Sequence, residues 1–344
     1  MSDVNCDEKG DIKNTVVATD NEVVSSLHSE TEILNNEKLI ASEIKRLEEV
    51  LDEPLKINSN LPFVVRVDGV SFRTYTRGLN KPFDQRLARA LTLTSADLLQ
   101  RFSPRTVFCC SDEISLLFAA CHANDNKERG DVKTKMFESE HMYSGRLQKL
   151  VSVISSYTAA KFNYYMQQMD WSDLQNEETH KRIKSSAAYF DARAFNVPNE
   201  FLAMASIYWR HRYDCLKNST LTYALSFYSQ KDILGKNTYT LRQLMRDEKN
   251  FDMYKDAPSN IVYGTFLKKE LYEIQAVDRK TGQNIQVNRT RFRIGSFNIN
   301  DVLPTIEDKV QFMISKYWND NNGHIQDVKT PEWWIEKKIT SDTS

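Results

Sequence analysis

The 344-residue chain contains no Walker-type GxxxxGK[ST] loop. Any phosphate it binds must therefore be held by metals, scattered basic side chains and backbone N–H groups, not by a glycine-rich cradle. Its five cysteines, Cys6, Cys109, Cys110, Cys121 and Cys215, are odd in number and form no CxxC pair. That argues against a disulfide framework or a zinc site and for a reducing compartment. The six histidines are scattered, with no ligand spacing. No apolar run approaches the ~20 residues of a membrane span, and no internal repeat is visible. The N-terminus is acidic, unlike a signal peptide or a mitochondrial presequence, so the cytoplasm is the expected location. Net charge is only −1, but residues 1–40 hold nine acidic and three basic residues, leaving a mildly basic remainder of about +5. Such a remainder fits an RNA partner without requiring one.

Against these absences stand two acidic strand ends. Pro62-Phe63-Val64-Val65-Arg66-Val67-Asp68-Gly69 reads as an apolar strand ending in Asp-Gly. Thr106 to Phe118 reads as two apolar strands joined by a tight Ser111-Asp112-Glu113 turn. One amphipathic helix separates the two segments. A strand, helix and hairpin in that order set Asp68 and Asp112 side by side, where two carboxylates repel unless a cation lies between them. Mg²⁺ is the readiest cation, because it prefers oxygen ligands and shares them with a phosphate chain. This suggests phosphoryl or nucleotidyl transfer by a metal pair.

The remaining pattern supplies the frame. Residues 1–40, polar and poor in large apolar groups, read as a disordered tail; 41–51 reads as a helix. Lys81-Pro82-Phe83-Asp84 opens a helix whose buried face is Leu87, Leu91, Leu98 and Phe102. Residues 122–140 read as a polar loop and Tyr143 to about Tyr165 as a helix. Residues 170–186 read as a hydrophilic connection, and Ala188–Phe195 alternates as a strand. A long helix is expected from Pro198 to about Phe227. Beyond it come a two-stranded ribbon over Lys268–Ile294, an amphipathic helix near Ile306–Tyr317 and the Trp333-Trp334 pair, a packing anchor. The first half is thus β-α-β-β-α-β, an α+β polymerase-palm-like antiparallel sheet with helices on one face. The expected division is a tail (1–40), a palm-like catalytic domain (41–198) and a second, α/β fingers-like domain (199–344).

Each candidate residue has a plainer reading beside the chemical one. Asp68 can begin an ordinary Asp-Gly turn, or aim at a metal, with Gly69 letting the backbone approach a ligand and lending its carbonyl. Glu113 is a further ligand or a hairpin residue facing solvent, and the lesser role is favoured. Lys81, at a helix start, is a phosphate ligand or a surface lysine. Arg146 and Lys149, one turn apart, clamp a triphosphate or form a solvated edge. Arg289, Arg291 and Arg293 share one strand face, as a phosphate-contacting strip or as charge protecting an edge. The roles of Asp191 and Arg193 stay open.

With these residues in place the chain resembles the tRNA(His) guanylyltransferase superfamily, polymerases that extend RNA in the 3′-to-5′ direction. The matching segments run in family order from about residue 60 to 300. They are Arg66-Val67-Asp68-Gly69 with Phe72, Lys81-Pro82-Phe83-Asp84, Ser111-Asp112-Glu113-Ile114-Ser115, the helix with Arg146 and Lys149, Phe190-Asp191-Ala192-Arg193, Trp209-Arg210 with Asp214, and Gly264 to Lys269. The resemblance implies catalytic Asp68, Asp112 and Glu113, with two Mg²⁺ ions on Asp68, the Gly69 carbonyl and Asp112. It places triphosphate binding on Lys81, Ser111, Arg146 and Lys149, and leaves Lys268 and Lys269 as rivals for one downstream lysine. ATP and GTP or other nucleoside triphosphates are the implied substrates, tRNA the partner, and a homotetramer the assembly. Two departures stand out. Arg73 occupies a position where the guanylyltransferases proper carry His, and Asp214-Cys215-Leu216-Lys217-Asn218-Ser219 replaces their His-Ile-Asn-Asn-Leu-Tyr-Asn stretch. Both resemble the guanylyltransferase-like branch, associated with template-directed repair of 5′-truncated tRNA. Untemplated G addition to tRNA(His), a nucleotidyl cyclase on a similar sheet and an inactive tRNA-binding protein are the alternatives.

Overall fold

In the computed structural model, residues 55–121, 141–277, 280, 282–319 and 323–334 are described. The acidic stretch at 1–40, the helix expected over 41–51 and the loop expected at 122–140 lie outside these residues. Six strands pair in the order β4-β1-β3-β2-β5-β6: β1 (Phe63–Gly69), β2 (Thr106–Cys110), β3 (Glu113–Phe118), β4 (Phe190–Asn196), β5 (Thr265–Val277) and β6 (Asn284–Gly295). Every pairing is antiparallel. The first four strands form the palm-like layout expected from the sequence. The expected ribbon is β5 with β6, and its base pairs with β2 through Cys109↔Thr265, so it extends the same sheet.

Alternation along each strand sorts side chains to two faces. Val65 and Val67 of β1, with Ile114 and Leu116 of β3, lie against α1 (Gln85–Phe102) and α2 (Leu147–Gln168) in one buried cluster. Asp84 caps α1 by accepting from the Arg86 N–H, and it also holds the Arg86 guanidinium at 2.8 Å. Asp84 of the Lys81-Pro82-Phe83-Asp84 motif is thus committed to the helix start. On the opposite face Phe108, Leu117 and Phe266 pack with Met204 and Ile207 of one helix and Phe312 of another. Trp334 is buried and donates its indole N–H to the Phe292 carbonyl at 3.1 Å, the anchoring role expected for it.

Two local expectations change. The connection at 170–186 contains a helix, α3 (Glu177–Lys184), capped by Asn176. It buries only Thr179 and Ile183, too little apolar periodicity to read from sequence. The long helix expected from Pro198 to Phe227 is α4 (Glu200–Trp209) and α5 (Leu216–Phe227), joined by a π-helical segment, Arg210–Cys215. Beyond it, α6 (Thr238–Lys249) packs Leu241 and Met245 with Tyr223 of α5, and α7 (Ile306–Ile314) carries Phe312.

Gly69 owes its identity to packing. A Cβ there would lie 2.3 Å from the Phe72 ring, which is buried among Tyr75, Phe162 and Phe190. The sequence reading had the glycine letting the backbone approach a ligand; the Phe72 ring is a second reason for a glycine there. Gly69→Ala should therefore cost about 1–3 kcal/mol by overpacking. Urea unfolding should show a lower midpoint at an unchanged slope, and an unaltered midpoint would refute this account.

Candidate active site

Asp68 closes β1, and Asp112 sits in the two-residue turn between β2 and β3, where Cys110 and Glu113 are register partners. The Gly69 N–H donates to the Asp112 carbonyl at 3.1 Å, so the strand end and the turn are tied backbone to backbone. Burial lifts the Asp112 carboxyl above the usual carboxylate range and the Asp68 charge lifts it further, while the Ser111 hydroxyl opposes both. Two acids are thus brought together with an unfavourable interaction between them. Ser111 holds the turn with φ at 59°, a left-handed conformation that costs a non-glycine residue roughly 1–2 kcal/mol.

The register extends this acidic end. Asp68 lies opposite Glu113 on one side and Asp191 on the other, and in the next row Arg66 lies between Ser115 and Arg193. Cross-strand partners share a face, so three carboxylates span three strands with arginines behind them. Arg66 approaches Asp68 at 3.4 Å, and Arg193 approaches Asp191 at 3.9 Å. Glu113 does not face solvent. Its side chain is 21% exposed, and its Oε1 lies 3.2 Å from Arg210 Nε without a hydrogen bond in line. Arg210 is shared with Asp214, an i,i+4 partner within the π-helical segment. Burial dominates, lifting the Glu113 carboxyl to about 7 despite Arg210 and Arg66. Sequence reading missed this grouping because a π insertion leaves no mark on helical periodicity.

A cavity of about 340 Å³ opens beside the turn, bounded by the start of α1, the turn itself and α5. Lys81, Ser111 and Asp112 line it, as do Arg73, Asn218 and Ser219. Leu87, Leu91 and Cys109 give it an apolar wall. Asp68, one strand away, does not line it.

Other candidates lie elsewhere. Arg146 bridges to Lys56, and the neighbouring Leu147 N–H and Gly145 carbonyl bond to Leu55 and Ile57, ahead of β1. The end of the sheet with Asp68 is instead met by Phe162, which packs on Phe72 and Phe190. The sixteen residues from Arg146 to Phe162 span roughly 24 Å of helix. The structure therefore does not bring Arg146 and Lys149 to the Asp112 cavity; Lys149 stacks over Tyr143 at 5.4 Å. Arg289, Arg291 and Arg293 share a face as expected, but two of them are engaged. Both Arg291 and Arg293 pair with Glu270, and Arg293 also binds the Gln326 and Val328 carbonyls, while Arg289 and Arg291 are exposed. Lys268 and Lys269 point to opposite faces. Lys268 is fully buried, donating to the Arg105 and Ser315 carbonyls and to Thr106 Oγ1, whereas Lys269 reaches Ser103 Oγ at 3.2 Å.

Among the described residues, no group of three or more His, Cys, Asp or Glu side chains converges as a ready cation cage. Mg²⁺ needs no such cage, since one or two carboxylates suffice when water and substrate phosphates complete an octahedron. Asp68, Asp112 and the Gly69 carbonyl are the oxygens that could form such a donor set, and the repulsion at Asp112 is what a cation there would relieve.

The sheet and the acidic strand ends define an α+β palm-type protein. The model for tRNAHis guanylyltransferase matches residues 42–198. An uncharacterised protein of Acanthamoeba polyphaga mimivirus is 30% identical over 285 residues, covering 81% of this chain and 90% of its own length. A bacterial tRNA(His) guanylyltransferase-like protein in complex with ATP is 28% identical, with a TM-score of 0.55 over 66% of this chain and 87% of that one. A second such structure, in complex with GTP, is 25% identical, with a TM-score of 0.55 over 79% and 98%. The chain belongs to the tRNA(His) guanylyltransferase family, a family of nucleotidyltransferases. No helix among the described residues is long and apolar enough to cross a membrane.

The π-helical segment that carries Arg210 is fixed by its neighbour. His211 is buried, with Nδ1 2.8 Å from the Tyr263 carbonyl and Nε2 3.2 Å from the Ile299 N–H. Only the neutral ring with its proton on Nδ1 satisfies both, and burial lowers its pKa to about 4. The folded value lies below the unfolded one, so the unfolded state takes up the proton first as pH falls. Stability present above pH 6.5 should decline by about 3 kcal/mol as pH falls to 4. In pH-dependent denaturant melts His211→Phe should be less stable at pH 7 yet show a flatter profile across that window. A wild-type slope retained by His211→Phe would refute the assignment.

Proposed function

We propose that this protein is a Mg²⁺-dependent 3′–5′ RNA polymerase that adds nucleotides to the 5′ end of tRNA, and that its role is template-directed repair of truncated ends. The observation that carries this reading is the meeting of Asp68 at the end of β1 with Asp112 in the adjoining hairpin turn, beside a cavity lined by Lys81 and Ser111. The ATP and GTP complexes of the bacterial relatives support nucleoside triphosphates as the occupants. Asp68, the Gly69 carbonyl and Asp112 would hold two Mg²⁺ ions, which supply a lowered hydroxyl pKa and neutralise phosphate charge.

The chain's own residues do the rest. Lys81 and Ser111 steady the phosphates at the turn, while Leu87 and Leu91 wall the nucleotide from water. Glu113, held by Arg210, keeps a second carboxylate beside Asp68. A 5′-monophosphate end is first adenylylated by ATP with release of pyrophosphate. The 3′-hydroxyl of the incoming nucleotide then attacks that 5′ phosphorus, expelling AMP, or expels pyrophosphate from a 5′-triphosphate end. Pairing with the opposite strand selects the base, so the protein reads tRNA shape and backbone. Residues 41–198 carry the chemistry in this reading and 199–344 grip the tRNA. The enzyme is cytoplasmic and homotetrameric, the latter supported by exposed Trp209, Tyr213, Leu221 and Leu225 along α4 to α5, spaced four, eight and four residues apart.

The test offers mono- and triphosphorylated tRNAs lacking one 5′ nucleotide, with each labelled triphosphate in turn. Addition only of the base complementary to the opposing strand is expected. G added regardless of that base would return the protein to tRNA(His) maturation, and a cyclic nucleotide formed without RNA would make it a cyclase. Asp68→Ala and Asp112→Ala should each lower addition by roughly 10³-fold or more with the fold intact by circular dichroism.

A further inference from the structure

We infer that the outer edge of β4 is a docking surface for a second copy of this chain, which adds its own β4 antiparallel about a two-fold axis at Ala192. Among the described residues β4 is an edge strand, paired with β1 alone. The Tyr189 carbonyl accepts from the Val70 N–H and the Val197 N–H donates to the Pro62 carbonyl, each at 2.9 Å. Odd-numbered residues from 189 to 197 therefore turn their backbone groups toward β1. Those groups alternate along a strand, so the ones on Phe190, Ala192 and Ala194 point away from the sheet. Such a row is a template for another strand.

Charge selects the partner and the register. Within its own sheet Asp191 faces Asp68 and Arg193 faces Arg66, like charge against like, which is unfavourable across a strand pair. The ion pair that Asp191 and Arg193 make with each other is long, at 3.9 Å, and both are exposed. A two-fold axis at Ala192 sets Asp191 opposite the partner's Arg193, and Arg193 opposite the partner's Asp191. The neighbouring registers that keep the outward groups bonded place Asp191 opposite the partner's Asp191, or Arg193 opposite the partner's Arg193. Only the axis at Ala192 joins opposite signs.

The same axis pairs Tyr189 with the partner's Phe195. Both rings stand on the face of Asp191 and Arg193, where Tyr189 is 64% and Phe195 44% exposed. Aromatic pairs across strands add to the contact, and about six backbone hydrogen bonds close it. The other edge strand, β6, bears three arginines and no acid, so it opposes pairing with itself. The β4 contact is separate from the apolar face along α4 and α5 and does not rest on the polymerase reading. Two different two-fold contacts in one chain close a tetramer, and this edge supplies the second. It also sets the partner's Arg193 beside Asp191, the residue opposite Asp68.

Sedimentation of the full chain over a dilution series tests the contact, using Arg193→Asp, Asp191→Arg and the two changes combined. Each single variant sets like charges across the axis and should raise the dissociation constant roughly tenfold or more. It should fall to half the wild-type mass at dilutions where the wild type stays whole. Mixing the two single variants, or joining both changes in one chain, restores opposite charges and should restore the mass. Deuterium uptake at the Ala192 and Ala194 amides should be slow in the wild type and faster in either single variant. Folded single variants of wild-type mass, or a mixture that stays at half mass, would overturn the contact. Slow uptake retained in both single variants, as when another segment of the same chain lies on the edge, would overturn it too. A monomeric wild type that still extends tRNA would remove this contact and the tetramer while leaving the polymerase reading standing.

Discussion

The chemistry rests on the register between β1 and β3. With Asp68 opposite Glu113, the strand end falls beside the hairpin turn, and the bond from the Gly69 N–H to the Asp112 carbonyl joins them. A slip of one residue would exchange the faces of β1. Asp68 would turn toward the buried layer of α1 and α2, and Val67 would meet Arg210's side. The apolar alternation of Phe63, Val65 and Val67 against Arg66 and Asp68 prevents that slip, so core packing and carboxylate placement are one constraint.

Much of this frame was legible in the sequence. The strand ending at Asp68, the hairpin around Asp112 and the helix opened by Lys81-Pro82-Phe83-Asp84 each carry a strong local signal: apolar alternation, a tight polar turn, a capped helix start. What periodicity cannot give is which end of an element meets which partner. Arg146 and Lys149 fall on a plausible face of α2, yet they sit at the wrong end for the Asp112 cavity. Connectivity held the missing signal. β3 runs antiparallel to β1 and ends beside its beginning, so the helix that follows starts there too. The π segment was illegible for another reason, because a single inserted residue costs the local pattern almost nothing while turning Arg210 onto Glu113. The arginines of β6 were legible as sharing a face, but their partner Glu270 lies on another strand, beyond any local pattern.

The protein gathers charge of one sign at one end of its sheet. Carboxylates from β1, β4 and the hairpin crowd one end of the sheet, Asp68 lying between Glu113 and Asp191 and tied to the Asp112 turn. Asp112 and Glu113 carry a burial and repulsion cost that side-chain pairing only partly relieves. Such unrelieved charge is the mark of surfaces made for ions and ligands, and it distinguishes this acidic end from Arg293, whose guanidinium is paired and stacked over Trp318.

Lys268 has a practical consequence of its own. Its ammonium has no solvent exposure and clasps the entry to β2 and the exit from α7 through the Arg105 and Ser315 carbonyls. An amine-acylating reagent can reach it only when those segments part, so its labelling needs β2, β5 and the end of α7 to come loose from one another. The rate at which this one lysine becomes labelled therefore reports opening of that junction, while lysines on the rim report local exposure.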